Sequence, residues 1–188
     1  GVKLLDGDPG ADTNRTVYTL VGPPDGVAEA GFRGAKKAAE LIDMTAHKGA
    51  HPRMGALDVC PFIPVANVTM AECADLARAV GRRIGDDLQI PVYFYEHAAA
   101  SEERRSLATI RAGEYEGLAD RLASPAWAPD AGPARFNARS GGTVVGAREF
   151  LLAYNVNLNT LDRRLANEIA LNILEGGRAK RDAKGEIL

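Results

Sequence analysis

The sequence predicts an α/β (α+β) sandwich, a mixed β-sheet with helices packed on one face. Three observations predict it. β-branched and aromatic runs alternate with alanine-rich runs of helical rhythm. Pro61, Pro64 and Pro91 mark the strand-like runs, which favours a mixed sheet over a doubly wound parallel one. The connections are mostly short, and no internal repeat is visible.

Each element has its own warrant. Gly1-Val-Lys-Leu-Leu-Asp6 reads as a strand from the first residue, without an initiating methionine, as expected of a piece of something longer. Thr16–Val21 is β-branched and aromatic and stops at Gly22-Pro23-Pro24, so it is a strand ending in a rigid turn. Val27–Ala46 has helical composition, with Val27, Ala30, Ala38, Leu41, Ile42 and Thr45 near one face. Asp58–Val65 is a strand in which Pro61 and Pro64 remove two ladder donors, so it belongs at a sheet edge or is irregular.

Thr69-Met-Ala-Glu72 has the capping-box spacing, and the helix it opens carries Cys73, Leu76, Ala77, Val80 and Ile84 before ending near Asp86-Asp87. Ile90–Tyr95 is the next strand, with Pro91 at its start. Residues 101–123 are polar with a broken helical rhythm, and 124–142 form a loop rich in Pro, Gly, Ala and Arg. The alternation in Phe150–Leu158 predicts a strand with Leu152, Tyr154, Val156 and Leu158 on one face. Thr160 then caps a helix carrying Leu161, Leu165, Ile169 and Ile173, stopped by Gly176-Gly177.

The composition narrows the function classes. The chain has 188 residues, 46% of them hydrophobic, and 23 basic against 25 acidic side chains for a formal charge of -2. That is enough apolar material for a core, and no basic excess is present to track a phosphate backbone, so nucleic acid is not an expected partner. No apolar run approaches the roughly 20 residues of a membrane-spanning helix. Cys60 and Cys73 lack zinc-knuckle or redox-pair spacing and are expected to be reduced, buried thiols. With no export signal before the first strand, a cytoplasmic protein is expected.

Three stretches can carry chemistry. Lys48-Gly-Ala-His51-Pro-Arg53-Met-Gly-Ala-Leu-Asp58 lies between a helix and a strand, and Pro52 restricts His51 to extended geometry. A histidine in a stiff loop exchanges protons near neutral pH, and the neighbouring Arg53 can grip a carboxylate at two points. Gly49 and Gly55 leave room for close approach to a ligand. The bland alternative is a loop histidine that only bonds its neighbours. His47, four residues before, suggests a metal pair only weakly, since no further ligand completes it, and no metal is expected.

The second stretch, residues 6–16, reads as a turn projecting Asp8 toward whatever His51 faces, where a carboxylate can orient an imidazole. Equally, the turn can use its acids for its own backbone bonds. The third, residues 132–147, combines glycines, Phe136, Asn137, Arg135 and Arg139, a set able to wrap a flat heterocycle with an anionic tail. It lacks the glycine spacing of a dinucleotide loop and the Walker lysine.

Together these stretches resemble the formiminotransferase family, in its N-terminal subdomain. The matching segments are Thr13–Thr19, Val21–Pro24, Leu41–Met44, His51–Val65, Ile110–Glu116, Trp127–Asp130 and Gly132-Pro133, collinear over nearly the whole chain. The fifteen residues His51–Val65 are the specific part.

The resemblance implies a ferredoxin-like sandwich and an enzyme of one-carbon metabolism. That enzyme moves the formimino group of N-formimino-L-glutamate, a product of histidine breakdown, to tetrahydrofolate, giving 5-formiminotetrahydrofolate and glutamate. His51 aligns with the catalytic histidine, with Asp8 to hold its imidazole and Arg53 to clamp a substrate carboxylate. Gly132, Pro133, Ala134, Arg135, Phe136, Asn137, Ala138, Arg139, Ser140 and Gly141 align with the folate-binding segment. Tetrahydrofolate is then the co-substrate, the partners are small molecules, and the full-length protein is a homodimer. Residues 1–176 correspond to the subdomain, short of its opening strand, and 177–188 to a charged tail or linker toward a C-terminal subdomain. A folate-binding module without turnover is the rival expectation.

Overall fold

The computed structural model describes residues 1–152 and 156–173. Its chain falls into two compact units, residues 1–150 and 151–188.

The first unit opens with an antiparallel ribbon, β1 (Lys3–Gly10) and β2 (Arg15–Val21), with an irregularity between Leu4 and Asp6. The acid-rich stretch expected to be a turn from Asp6 is therefore strand as far as Gly10, and the turn is confined to residues 11–14. Asn14 ends it at φ 46°, a left-handed conformation its short polar side chain tolerates. The ribbon leaves Leu4, Leu5 and Tyr18 exposed.

Helix α1 runs Pro24–Leu41 with proline in its first turn, where the missing N–H has no intrahelical partner to lose. It stops short of the expected Ala46. Asp43 accepts from the Thr45 N–H at 3.0 Å and from its hydroxyl at 2.7 Å, so Thr45 lies in a turn rather than on the helix face. Helix α2 (Met70–Leu88) starts with the expected capping box: Thr69 Oγ1 accepts from Glu72 N, and Glu72 Oε2 accepts from Thr69 N at 2.7 Å. Gln89, at φ 56°, ends it.

A three-stranded parallel sheet forms the centre, in the order β3 (Val59–Phe62), β5 (Thr143–Ala147), β4 (Val92–Glu96). Proline-bearing β3 is an edge strand, as its missing donor requires. Helix α2 covers one face, where Cys73, Ala77, Val80 and Ile84 pack with Val92, Phe94, Val145 and Ala147. On the other face Tyr93, Tyr95 and Val144 pack against Met54, Ile110, Leu118 and Leu122. Parallel and antiparallel pairing thus both occur, in two sheets, and the architecture is an α+β sandwich.

The broken rhythm of residues 101–123 resolves into two short helices, α3 (Leu107–Arg111) and α4 (Leu118–Ala123), which cover that second face. Arginines satisfy their loose backbone carbonyls. Arg121 donates to Thr109 O and Ala112 O, both at 2.7 Å, and its guanidinium lies 3.6 Å from the Trp127 ring centre. Arg104 donates to Ala128 O at 2.8 Å and pairs with Asp130.

The strand expected at Phe150–Leu158 is not found where it is described: residues 150–152 and 156–158 are irregular, while Tyr154 and its neighbours lie outside the described residues. The central strand is Thr143–Ala147 instead, a run that the sequence pattern assigns to no strand. Buried on both faces, it has no polar alternation to announce it. In the second unit α5 spans Arg163–Ile173, with Asp162 Oδ1 accepting from Arg164 N at 2.9 Å, so Asp162 rather than Thr160 caps it. Its expected glycine stop lies outside the described residues.

Both cysteines are free thiols, as expected, and burial pushes the Cys60 sulfur up to about 12.

Candidate functional site

The loops that precede β3 and β5 meet at the amino ends of the parallel strands. Gly55 and Gly141 form an isolated bridge there, and Gly142 N donates to Met54 O at 3.0 Å. Gly141 sits at φ 68°, and a Cβ on it would lie 2.1 Å from Met54 O. The space that Gly55 leaves is filled by the Gly142 carbonyl, not left for a ligand. Asp58 stitches the loop from below, accepting from Met54 N at 2.8 Å and pairing with Arg111.

His51 is half-buried at the top of this loop. Its Nδ1 lies 2.7 Å from the Pro52 carbonyl oxygen, which can only accept, so Nδ1 carries the proton and Nε2 is the basic nitrogen. Arg15 Nη1 stands 3.2 Å from Nδ1 and 2.9 Å from Nε2. One atom so close to both nitrogens cannot lie in the ring plane without meeting Cε1, so the guanidinium rests over the ring. The Arg15 contact comes from anchoring of the ribbon turn: Asn14 Nδ2 donates to Lys48 O at 2.8 Å, His47 Nε2 donates to Asn14 O at 2.8 Å, and Ala50 N to Asp12 O at 3.0 Å. His47 therefore clamps the ribbon rather than sharing a ligand with His51. Among the described residues, no group of three or more His, Cys, Asp or Glu side chains is placed to hold a metal ion.

Arg53 and Asp8 do not stand where the sequence suggests. Arg53 is buried, 8% exposed, and its guanidinium is committed: Glu116 accepts from Nη1 at 2.7 Å and from Nη2 at 2.8 Å, Glu114 accepts at 3.2 Å, and His47 O at 3.2 Å. The Arg53 hydrogen bonds hold the Glu116 carboxyl down at about 2. Asp8 is opposite Val17 in the ribbon, on the same face as Arg15, and has no direct bond to His51.

The 132–141 segment reaches this cluster through residues 114–116. Tyr115 N donates to Arg53 O at 2.9 Å, its hydroxyl to Ala138 O at 2.6 Å, and its ring packs on Phe136 with centres 5.4 Å apart. Several members of the segment are structural. Gly132, at φ 77°, and Gly141 bound it; Asn137 Oδ1 accepts from Ser140 N at 3.0 Å; Ser140 O receives Ala56 N at 2.9 Å; Arg139 donates to Glu40 O at 3.0 Å at the end of α1. Ala134, Arg135 and Ala138 are exposed, Pro133 is half-buried, and Arg135 has no side-chain partner among the described residues. A cleft of about 540 Å³ opens beside His51, lined by Pro52, Leu107, Arg111, Gly113 and Glu114, within the range of small-molecule sites. His97 is elsewhere, past the carboxyl end of β4.

Sequence reasoning named His51 and the 132–141 segment but missed Arg15, Asn14, Asp58 and the Glu114-Tyr115-Glu116 arm. The signal for the arm was its place in the collinear match; the signal for Arg15 was the Thr13-Asn-Arg-Thr16 run.

Residues 1–148 match the family described as the formiminotransferase domain, N-terminal subdomain. The chain belongs to that family. It is 56% identical over 178 residues to the formimidoyltransferase-cyclodeaminase of Gallus gallus, covering 95% of this chain and 33% of that protein. It is 46% identical over 177 residues to the glutamate formimidoyltransferase of Streptococcus pyogenes serotype M1 (94% and 59%), and 45% over 171 to that of Thermoplasma acidophilum (90% and 56%). The chain thus spans about a third to three-fifths of the curated relatives it matches. No helix among the described residues is long and apolar enough to cross a membrane.

Proposed function

We propose that this chain serves transfer of a formimino group from N-formimino-L-glutamate to tetrahydrofolate, with His51 as the proton carrier. The observation that carries the reading is the His51 imidazole at the edge of a cleft, its tautomer set by the Pro52 carbonyl so that Nε2 is basic. The reaction joins the formimino carbon to N5 of the folate and breaks its bond to the glutamate nitrogen. The proton lost at N5 must reach that departing nitrogen, and one imidazole can take it and return it.

In this reading the 132–141 segment is the folate side of the site. The tilted Tyr115–Phe136 pair offers an apolar aromatic wall, and exposed Arg135 offers a charge for an anionic tail. Arg53, already bound to two glutamates, positions the His51 loop and does not itself grip substrate. Asp8 acts on the imidazole only through the ribbon face it shares with Arg15.

Replacing His51 by Ala is expected to lower transfer by roughly 10²–10⁴-fold while leaving folate affinity unchanged. An absorbance assay for 5-formiminotetrahydrofolate and calorimetry with tetrahydrofolate measure the two. Wild-type turnover in the variant would remove His51 from the mechanism. Folate binding by the unaltered chain with no turnover would favour the binding module instead.

A further inference from the structure

We propose that Arg15 holds the α-carboxylate of the amidine-bearing amino acid and so seats the reacting carbon at His51. The inference rests on the formimino-transfer reading. Arginines around the histidine loop divide sharply. Arg53 is bound to Glu116 and Glu114, and Arg111 to Asp58, so both charges are neutralised within the protein. Arg15 is exposed, and among the described residues its guanidinium meets only the His51 ring, reached through Nη1. Among the described residues its Nε and Nη2 have no partner. That edge presents the parallel donors that match a carboxylate in two-point fashion.

Substrate chemistry selects which carboxylate. In N-formimino-L-glutamate the nitrogen that carries the formimino group and the α-carboxylate share one carbon. A group that touches the proton carrier therefore reaches the α-carboxylate, while the γ-carboxylate and the folate tail lie several bonds from the reacting centre. Arg15 can bind it without leaving the imidazole, because Nη1 faces the ring and the Nε–Nη2 edge does not. The ribbon turn sets this geometry, through the bonds of Asn14 and Asp12 to the His47–Ala50 loop. The result is a two-point site in which specificity for an α-amino acid and access to the base depend on one side chain.

The test compares N-formimino-L-glutamate with N-formimino-4-aminobutanoate, which lacks the α-carboxylate, by calorimetry on the full chain carrying wild-type Arg15, Arg15→Lys or Arg15→Gln. Circular dichroism confirms folding, and Lys48→Met controls for general loss of positive charge nearby. Wild type and the Lys48 variant should prefer the α-carboxylate by roughly 10- to 100-fold. Arg15→Gln should erase that preference, and Arg15→Lys should keep part of it. Full preference in Arg15→Gln, or loss of it in Lys48→Met, overturns the assignment. Wild type binding both compounds equally overturns it while leaving formimino transfer standing. Wild type binding neither overturns the transfer reading and this inference together.

Discussion

The parallel sheet and the β1–β2 ribbon are built on opposite principles. In the sheet, Val92, Tyr93 and Val144 are fully buried, and the loops above them are fixed by backbone bridges and buried ion pairs. The ribbon leaves Leu4 and Tyr18 62% and 68% exposed, and its turn is held by a few hydrogen bonds to residues 47–50. The difference teaches where each half of the site comes from. The histidine loop stands on a packed floor, whereas Arg15 hangs from a thinly supported rim. In the proposed reading this pairs a rigid base with an adjustable substrate contact.

The floor should break most severely. Gly141→Val combines a strained φ with a backbone collision against Met54 O, and we expect a loss of at least about 3 kcal/mol in urea unfolding, with the His51 loop displaced. A loss under 1 kcal/mol would show that the two loops separate easily and that the floor is not rigid.

Arg53→Met should cost about 1–2 kcal/mol, less than a fully buried pair because the Glu116 side chain is 56% exposed. Its pH dependence carries a sign. Glu116 has a carboxyl lowered from 4.5 to about 2, so the pair's stabilisation is complete above pH 4.5 and is lost as pH falls toward 2. Urea midpoints between those values should fall in wild type and flatten in Glu116→Gln; equal slopes would sever the Arg53–Glu116 link.

The rim should respond more weakly. Asn14→Gly keeps the left-handed backbone and removes the bond to Lys48 O, for about 0.5 kcal/mol of global stability. Amide exchange in residues 11–15 should nevertheless speed up, while that of β5 stays unchanged. Last, Leu4→Ser should change stability by no more than about 0.5 kcal/mol, as at an ordinary surface position. A loss above 1 kcal/mol would mean the ribbon is buried against something and the contrast with the sheet is false.

Much of the fold was legible where the signal is local. The Thr69–Glu72 box, the Gly22-Pro23-Pro24 stop and the prolines of the edge strand act within a few residues of themselves, and α2, β2 and β3 formed accordingly. Strand β5 was hidden because a strand buried on both faces shows neither alternation nor length. The alternation at 150–158 drew the assignment instead. The short helices α3 and α4 were obscured because their support comes from arginine side chains bonding distant carbonyls rather than from periodicity.

The sequence by itself determined that a proline-stiffened histidine stands between a helix and an edge strand, and that a glycine-bounded loop of aromatic and basic residues follows later. Only the tertiary structure decided which charges remain available beside that histidine. Arg53, next to it but one in the chain, is consumed by Glu116 and Glu114, while Arg15, 36 residues earlier in the chain, lies over its ring. Charge pairing depends on distance in space and on burial, and neither is written in the local order of residues.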